Sequence, residues 1–473
     1  MGLIQNPDLD IIAMIIIVLI VLGTILLLMK EGIDATKITV TGAIIVAVFY
    51  LIVFSDWKTG FENNMGYEHV PESFLEALAK TINVEAIVII FAVSIIVALT
   101  KGAGFFDFIS LSIVKLTKGD PRKLIIALGG LTFFVSMFFD NLSAIILLGS
   151  LTVVITKQLD LNPRPFVLFV GINTIIGGLP TPVSSLPNII FYNLYANSAH
   201  AATKPVNFLS FMVYMFPVAI FFFGIATAYF FFMFRKDILI EVSDEKKEQL
   251  GRINPWSGIE ERKNIWKSII LLGVLFVGFL LTSIENNPID VALVALIAAI
   301  FGVFLFRTDL KHFLEDGVEW EMIVFFVALF VLMGILTASG ALAPLTEILT
   351  SVLGTGTPTV RGQILVALII GAIGLPITGF LNGSSAALIF SYIFKTLPVG
   401  IATGLWIGFV LSGNIGGALT PLGSITILMA LEILNREGDK ISFLQYIVKM
   451  LPLTLAFGIL SIGYSMFLIA VGW

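Results

Sequence analysis

The stretch MFFDNLSAIILLG carries one carboxylate, Asp140, with apolar sequence on both sides. A charged side chain at the bilayer centre costs roughly 2.5 to 3.5 kcal/mol on insertion scales, so a carboxylate retained in such a setting marks a functional site by default. The chemistry open to it is the binding of a proton or a cation. A structural reading competes, because Asp ahead of Asn141, Leu142 and Ser143 makes a good N-cap for a following helix. Ser or Asn would cap without the charge, so the carboxylate is assigned to proton or cation coupling, with Asn141 and Ser143 beside it.

Two further stretches gather neutral ligands around residues that break a helix. NTIIGGLPTPVSSLPN sets Asn173, Thr174, Thr181, Ser184, Ser185 and Asn188 around Gly177, Gly178 and three prolines. SGNIGGALTPLGSIT sets Asn414, Thr420 and Ser424 around Gly416, Gly417, Pro421 and Gly423, and the preceding FLNGSSA supplies Asn382, Gly383, Ser384 and Ser385. Glycine permits unusual dihedrals and proline removes an internal hydrogen bond, so both helices are expected to be discontinuous. A helix broken within the membrane frees carbonyls and amides, and its half-helix ends, worth about half an elementary charge each, face the gap. Taken singly, each Ser, Thr or Asn need only satisfy freed backbone groups, as such residues do in membranes. Two such clusters in one chain point instead to a shared substrate or ion site.

These ligands need a membrane framework, and the composition supplies one. Of 473 residues 58% are hydrophobic and 12% charged, with a mean hydropathy of +1.03, whereas a soluble domain carries about 25% charge. Apolar runs of about 20 residues recur along the chain, each sufficient to span hydrocarbon as a helix. The first run follows an acidic start without a basic n-region and reads as a retained span, not a cleaved signal. The chain therefore reads as an all-α polytopic protein of the cell membrane, with lipid as its surroundings. The absence of cysteine excludes disulfides and thiolate metal sites. His69, His200 and His312 share no metal-ligand spacing, and neither an HExxH motif nor a P-loop is present. No metal site, nucleic-acid partner or cofactor is expected, beyond a coupling proton or sodium ion.

Loop charge assigns sides, because cytoplasmic loops collect Lys and Arg. Residues 1–10 lack basic residues, Lys30 and Lys37 flank the next loop, and 55–80 is largely acidic and polar, which places both termini outside. The basic clusters from Lys101 to Lys123 and from Lys157 to Arg164 then fall inside together. Both ends of the stretch around Asp140 thus want one side, the mark of a re-entrant hairpin, tolerated only where its turn is buried in protein or faces water. The halves also repeat. FLEALAKTINVEAIVIIF resembles FLEDGVEWEMIVFF, pairing Phe74, Leu75 and Glu76 with Phe313, Leu314 and Glu315, Glu85 with Glu321 and, further on, Gly104 with Gly340. FFDNLSA pairs with FLNGSSA, setting Asn382 opposite Asp140, and GGLPTPVSS pairs with GGALTPLGS. Arg307, Lys311 and His312 start the second copy inside, so the repeats are inverted, as in many secondary transporters. The expected plan is N-terminal spans over 1–60, a first repeat over 61–234, a cytoplasmic linker over 235–263, connecting spans over 264–307 and a second repeat over 308–473, about ten spans plus two hairpins. Glu85 and Glu321 are read as first-turn acids favoured by the helix dipole.

The FFDNLSA hairpin, the VEWEMIVFFVALFVLMGIL helix and GNIGGALTPLGSIT resemble the ion transporter superfamily, in the branch holding arsenite permeases and sodium/proton antiporters with a citrate-transporter-like domain. The resemblance covers nearly the whole chain. It implies two inverted repeats, each with a re-entrant hairpin and an unwound helix around a central site, together with elevator-type movement and a homodimer. The dicarboxylate members carry Ser-Asn-Thr at both tips, whereas here the tips read Asp-Asn-Leu-Ser and Asn-Gly-Ser-Ser, and no Arg or Lys lies in either tip or broken helix. The segment from Thr420 to Ser424 looks closest to arsenite permeases. A site with neutral ligands and one carboxylate suits a small inorganic ion or oxyanion. Proton-coupled efflux of an arsenite- or antimonite-like solute is therefore expected first, sodium/proton antiport second and sodium-coupled uptake of a citrate-like carboxylate third. A channel or an intramembrane enzyme is the competing class; broken helices in inverted repeats favour a carrier, and no catalytic dyad is in evidence.

Overall fold

The computed structural model describes residues 7–28, 34–54, 57–65, 71–196, 198–201, 204–240, 247–248, 251–252, 254–257, 259, 261–284, 289–308, 315, 317–354 and 358–473. Lys30, His69, Lys311, His312, Phe313 and Leu314 lie outside the described residues. Within them the chain is helical, without strands.

α1 (Pro7–Leu28) and α2 (Ala35–Val53) lead through the short α3 (Trp57–Met65) and α4 (Phe74–Thr81) into a series of elements. The series is α5 (Val84–Gly102), a short α6 (Phe105–Thr117), a hairpin of α7 (Pro121–Ser136) and α8 (Asn141–Gln158), an interrupted helix of α9 (Pro163–Gly177) and α10 (Leu186–Ala196), and a long α11 (Phe208–Met233). After α12 (Arg235–Ile238), α13 (Arg262–Leu281) and α14 (Val291–Phe306) the series returns. It runs again as α15 (Trp320–Ala338), α16 (Ala343–Leu353), a hairpin of α17 (Val360–Leu381) and α18 (Gly383–Thr396), an interrupted helix of α19 (Thr403–Ile415) and α20 (Ile425–Arg436), and α21 (Phe443–Ala470). Local chemistry repeats with it: α11 and α21 both open on a capping box, Asn207 with Ser210 and Ser442 with Gln445, and both contain a proline, Pro217 and Pro452. Nine described helices are long and apolar enough to cross a membrane. Two of them, α8 and α17, are hairpin arms; the other seven, with α14 and the two interrupted helices, make ten crossings beside the two hairpins.

The two series run in opposite directions. Lys157 pairs with Glu437, Arg164 with Asp439, and Asn162 donates to Asp237, so the start of α9 shares one end of the molecule with the close of α11 and the α20–α21 connection. At the other end the Gly404 amide donates to the Trp473 carbonyl and Lys204 Nζ to the Gly472 carbonyl, which sets the start of α19 beside the α10–α11 connection. Equivalent helices thus start from opposite ends, here the Arg164 end and the Trp473 end, and the repeats are inverted.

The halves interlock. α2 packs along α15 and α14 along α5, while α10 lies on α18 and α20 on α8 and α9. In lipid such association rests on close van der Waals packing, which small residues permit: a Cβ added at Gly302 of α14 would meet Leu99 of α5 at 2.8 Å. A helix that is apolar all round belongs in an interior. Every residue of α9 from Pro165 to Gly177 is buried, and α19 is buried except at Gly408, so the interrupted helices form the core that the other spans surround.

Candidate functional site

α9 starts from its Asn162 cap and stops after 15 residues, about 22 Å along at 1.5 Å per residue. α19 stops after 13 residues, about 20 Å from the opposite end. Both breaks therefore fall deep in the membrane, where each freed carbonyl needs a donor. In the first, Asn188 Nδ2 donates to the carbonyls of Gly178 and Thr181 at 2.8 Å each, Ser184 Oγ donates to the same two carbonyls, and Thr181 Oγ donates to the Met137 carbonyl at the tip of the first hairpin. In the second, Thr420 Oγ donates to the Gly379 carbonyl and accepts from the Leu422 and Gly423 amides at 3.1 Å, and the Gly383 amide donates to the Gly423 carbonyl at 3.0 Å. Each break is thereby stitched to its own hairpin. Glycine is required by contact: a Cβ at Gly177 would stand 2.5 Å from the Phe133 carbonyl oxygen and one at Gly416 2.6 Å from that of Leu375.

The two tips and the two breaks enclose one cavity of about 390 Å³. Asp140, Asn141, Ser185, Asn382, Gly383, Ser384, Asn414, Gly417, Gly423 and Ser424 line it. The halves are joined at its floor, where Ser185 Oγ donates to Asn414 Oδ1 at 3.1 Å and Asn414 Nδ2 donates to Asn188 Oδ1 at 2.8 Å. The other expected residues stand behind this surface. Asn173 and Thr174 donate to the Phe169 and Val170 carbonyls of their own helix, Thr181, Ser184, Asn188 and Thr420 hold the breaks, Gly177, Gly178 and Gly416 are close-packing positions, and Ser385 is buried in α18. For these the backbone-satisfying reading describes the contacts, and the ligand surface is a narrower set than the sequence motifs.

Asp140 caps α8, its Oδ1 accepting the Leu142 and Ser143 amides at 3.0 and 2.9 Å, and it lines the cavity at the same time. Asn382 caps α18 through the Ser384 amide at 3.0 Å with φ +69° and ψ 138°, a sparsely populated conformation that costs of order 1–3 kcal/mol. The first turns of α8, α10, α18 and α20 all reach the cavity. Four N-terminal ends are set against the C-terminal ends of α7, α9, α17 and α19 at the same tips and breaks, so the helix dipoles nearly cancel in sum and what the N-terminal ends supply locally is their first-turn amides. No Lys or Arg is among the described lining residues. Asn141 Oδ1 is buried at the first tip without a hydrogen-bond partner among the described residues.

The expectation of a single carboxylate at the site is corrected by two glutamates. Glu321 opens α15 as expected but also lines the cavity. Glu319, at the N-cap position of α15, makes no cap bond; its Oε1 accepts from Ser143 Oγ at 3.0 Å. A signal for Glu319 exists in the repeat, which sets it opposite Asn83, the residue that caps α5 through the Ala86 amide at 2.9 Å and accepts from Asn193 Nδ2 of α10 at 3.1 Å. Glu85 lines a second cavity of about 300 Å³ with Asn83, Phe330, Leu388 and Lys395, and His200 packs against the Phe394 ring at 4.8 Å.

Repeated series with paired hairpins and interrupted helices around a polar cavity are an arrangement found in many membrane transporters. The profile of the citrate transporter family, CitMHS, matches residues 3–411, and the chain belongs to that family. It is a multi-pass membrane transporter. A 46 kDa membrane protein of Mycobacterium leprae is 23% identical over 452 residues, 93% of this chain and 95% of that one. The YdaH transporter of Alcanivorax borkumensis shares the fold with a TM-score of 0.54 at 16% identity, over 84% of this chain and 88% of that one. MtrF of Neisseria gonorrhoeae, from a class of antimetabolite efflux pumps, does so with a TM-score of 0.54 at 12% identity, over 91% and 94%.

Proposed function

We propose that this transporter is a proton-coupled carrier of a small oxyanion or carboxylate, with Asp140 as the coupling group and the substrate seated against helix N-termini at the two breaks. One observation carries the reading: four such ends, two from each half, converge on a cavity that also holds acidic side chains and no described Lys or Arg. Helix N-termini bind oxyanions through free amides and the helix dipole. An anion seated beside Asp140 and Glu321 also needs a proton or sodium ion to offset those acids, and that requirement links the two movements. From sequence alone a citrate-like carboxylate ranks last for want of a basic side chain; the first-turn amides of four helices provide oxyanion donors without one, and membership of the citrate transporter family supports it. Efflux of an arsenite- or antimonite-like neutral hydroxide is the second reading, favoured by the missing Lys and Arg. Sodium/proton antiport is the third, favoured by the additional glutamates.

Purified protein in liposomes with an interior pH dye, given sodium, lithium, arsenite and citrate in turn, separates the readings. Proton movement elicited by citrate supports the proposal. A response to arsenite alone establishes efflux of the hydroxide, and a response to sodium or lithium alone establishes antiport.

A further inference from the structure

We propose that Glu319 is a second coupling group, which α15 presents to the hairpin that carries Asp140. The proposal deepens the proton-coupled reading and rests on it. A polar side chain at an N-cap ordinarily accepts amides of its own helix, as Asn83 does at the equivalent position of the first repeat. Glu319 leaves that role and reaches across to α8. Ser143 touches both acids at once: its amide donates to Asp140 Oδ1 at 2.9 Å and its hydroxyl to Glu319 Oε1 at 3.0 Å. A third oxygen stands at the same tip, since Asn141 Oδ1 is buried and accepts no hydrogen bond from the described residues.

Two carboxylates bridged by one serine do not readily hold two negative charges, so a single shared proton or monovalent cation favours the closed contact. The charged groups around the pair are Lys101 at the close of α5 and Glu321 two residues further along α15. Lys101 lies near Glu319 and offsets only part of that charge. Because α15 packs chiefly along α2, loading the pair ties the Asp140 hairpin to those two helices and unloading it releases that contact. In the other repeat the residue at the Glu319 position is the neutral Asn83, which accepts from Asn193 of α10, and Asn382 stands at the Asp140 position, so the paired acids belong to one end of the molecule only.

Infrared titration of the protonated-carboxyl band, on protein reconstituted in lipid, tests this without any substrate. Wild type, Asp140→Asn, Glu319→Gln and the double variant are compared. Interacting acids titrate in steps that belong to the pair, so each single substitution is expected to change the titration of the acid left behind. Bands that add independently overturn the proposal. Glu319→Gln keeps an acceptor for Ser143, so a purely structural bond survives in it. In liposomes the number of protons moved per citrate is expected to fall in this variant, and an unchanged ratio overturns the proposal. If Glu319→Gln is not recovered folded, Ser143→Ala is titrated in its place: altered steps support the bridge and unaltered steps refute it. Failure of citrate to move at all rejects the substrate assignment above and leaves the infrared result standing.

Discussion

Asp140 joins two roles that substitution can separate. Asn caps a helix nearly as well as Asp, so Asp140→Asn is expected to fold with a melting temperature close to wild type while proton-coupled flux in liposomes is lost; a variant that transports at the wild-type rate would remove Asp140 from the mechanism. Asn382 is the converse case, since its backbone conformation suits glycine better. Asn382→Gly should raise thermal stability by about 1 kcal/mol, the released strain exceeding the few tenths lost from the cap, and should weaken substrate binding; a lowered melting temperature would contradict the strain. Gly423→Ala tests the contact between tip and break. Its Cβ would lie 2.8 Å from the Gly379 carbonyl oxygen and 2.9 Å from that of Thr378, backbone that cannot swing aside, so a loss of about 1–3 kcal/mol is expected. Asp140, both tips and both breaks were legible in the sequence because a charge, a glycine or a proline is costly within an apolar run and persists there only where the fold or the chemistry uses it. Glu319 was missed although the repeat aligns it with Asn83, because its contact with Ser143 spans 176 residues and no local pattern encodes that pairing.

At the scale of elements, the hairpins and the broken helices follow from local chemistry, and their partners do not. Gly and Pro mark where α9 and α19 must stop, and the charges on both flanks bring the ends of the Asp140 hairpin to one side. The chain contains no cysteine, so single cysteines at Lys118 and Lys157 can be labelled without background; both are expected to react from the same face, and labelling from opposite faces would exclude the hairpin. Arg164, in the first turn of α9, and Asp439, in the α20–α21 connection, join the two halves, with side chains 30% and 21% exposed. A two-point pair this far shielded contributes more than the about 0–1 kcal/mol of an exposed one, so Asp439→Arg should lower the melting temperature and the reciprocal Arg164→Asp exchange should restore most of it. That α2 would lie along α15 was not readable, because helices apolar on every face present no stripe to name a neighbour.

Across the whole molecule, the two cavities are separated by about one helical turn. Phe326, Ser384 and Ile89 face the central cavity, and Phe330, Leu388 and Glu85 face the outer one on the same three helices. Truncating the layer between them, as in Leu388→Ala with Phe330→Ala, should give a proton leak that runs without substrate, measurable as dissipation of an imposed pH gradient; a tight double variant would place the barrier elsewhere. The interlocked halves also carry a consequence for how the protein is made. Tyr50 at the close of α2 donates to the carbonyl of Ala338 at the close of α15, 288 residues later, and the first hairpin receives α20 only when synthesis is nearly finished. The nascent first half therefore waits in lipid with its broken helix uncovered on the face that the late helices will fill. A ribosome that stops early releases no half-carrier, only a chain with exposed polar groups in the membrane, and the last helices to emerge are the ones that quality control must wait for.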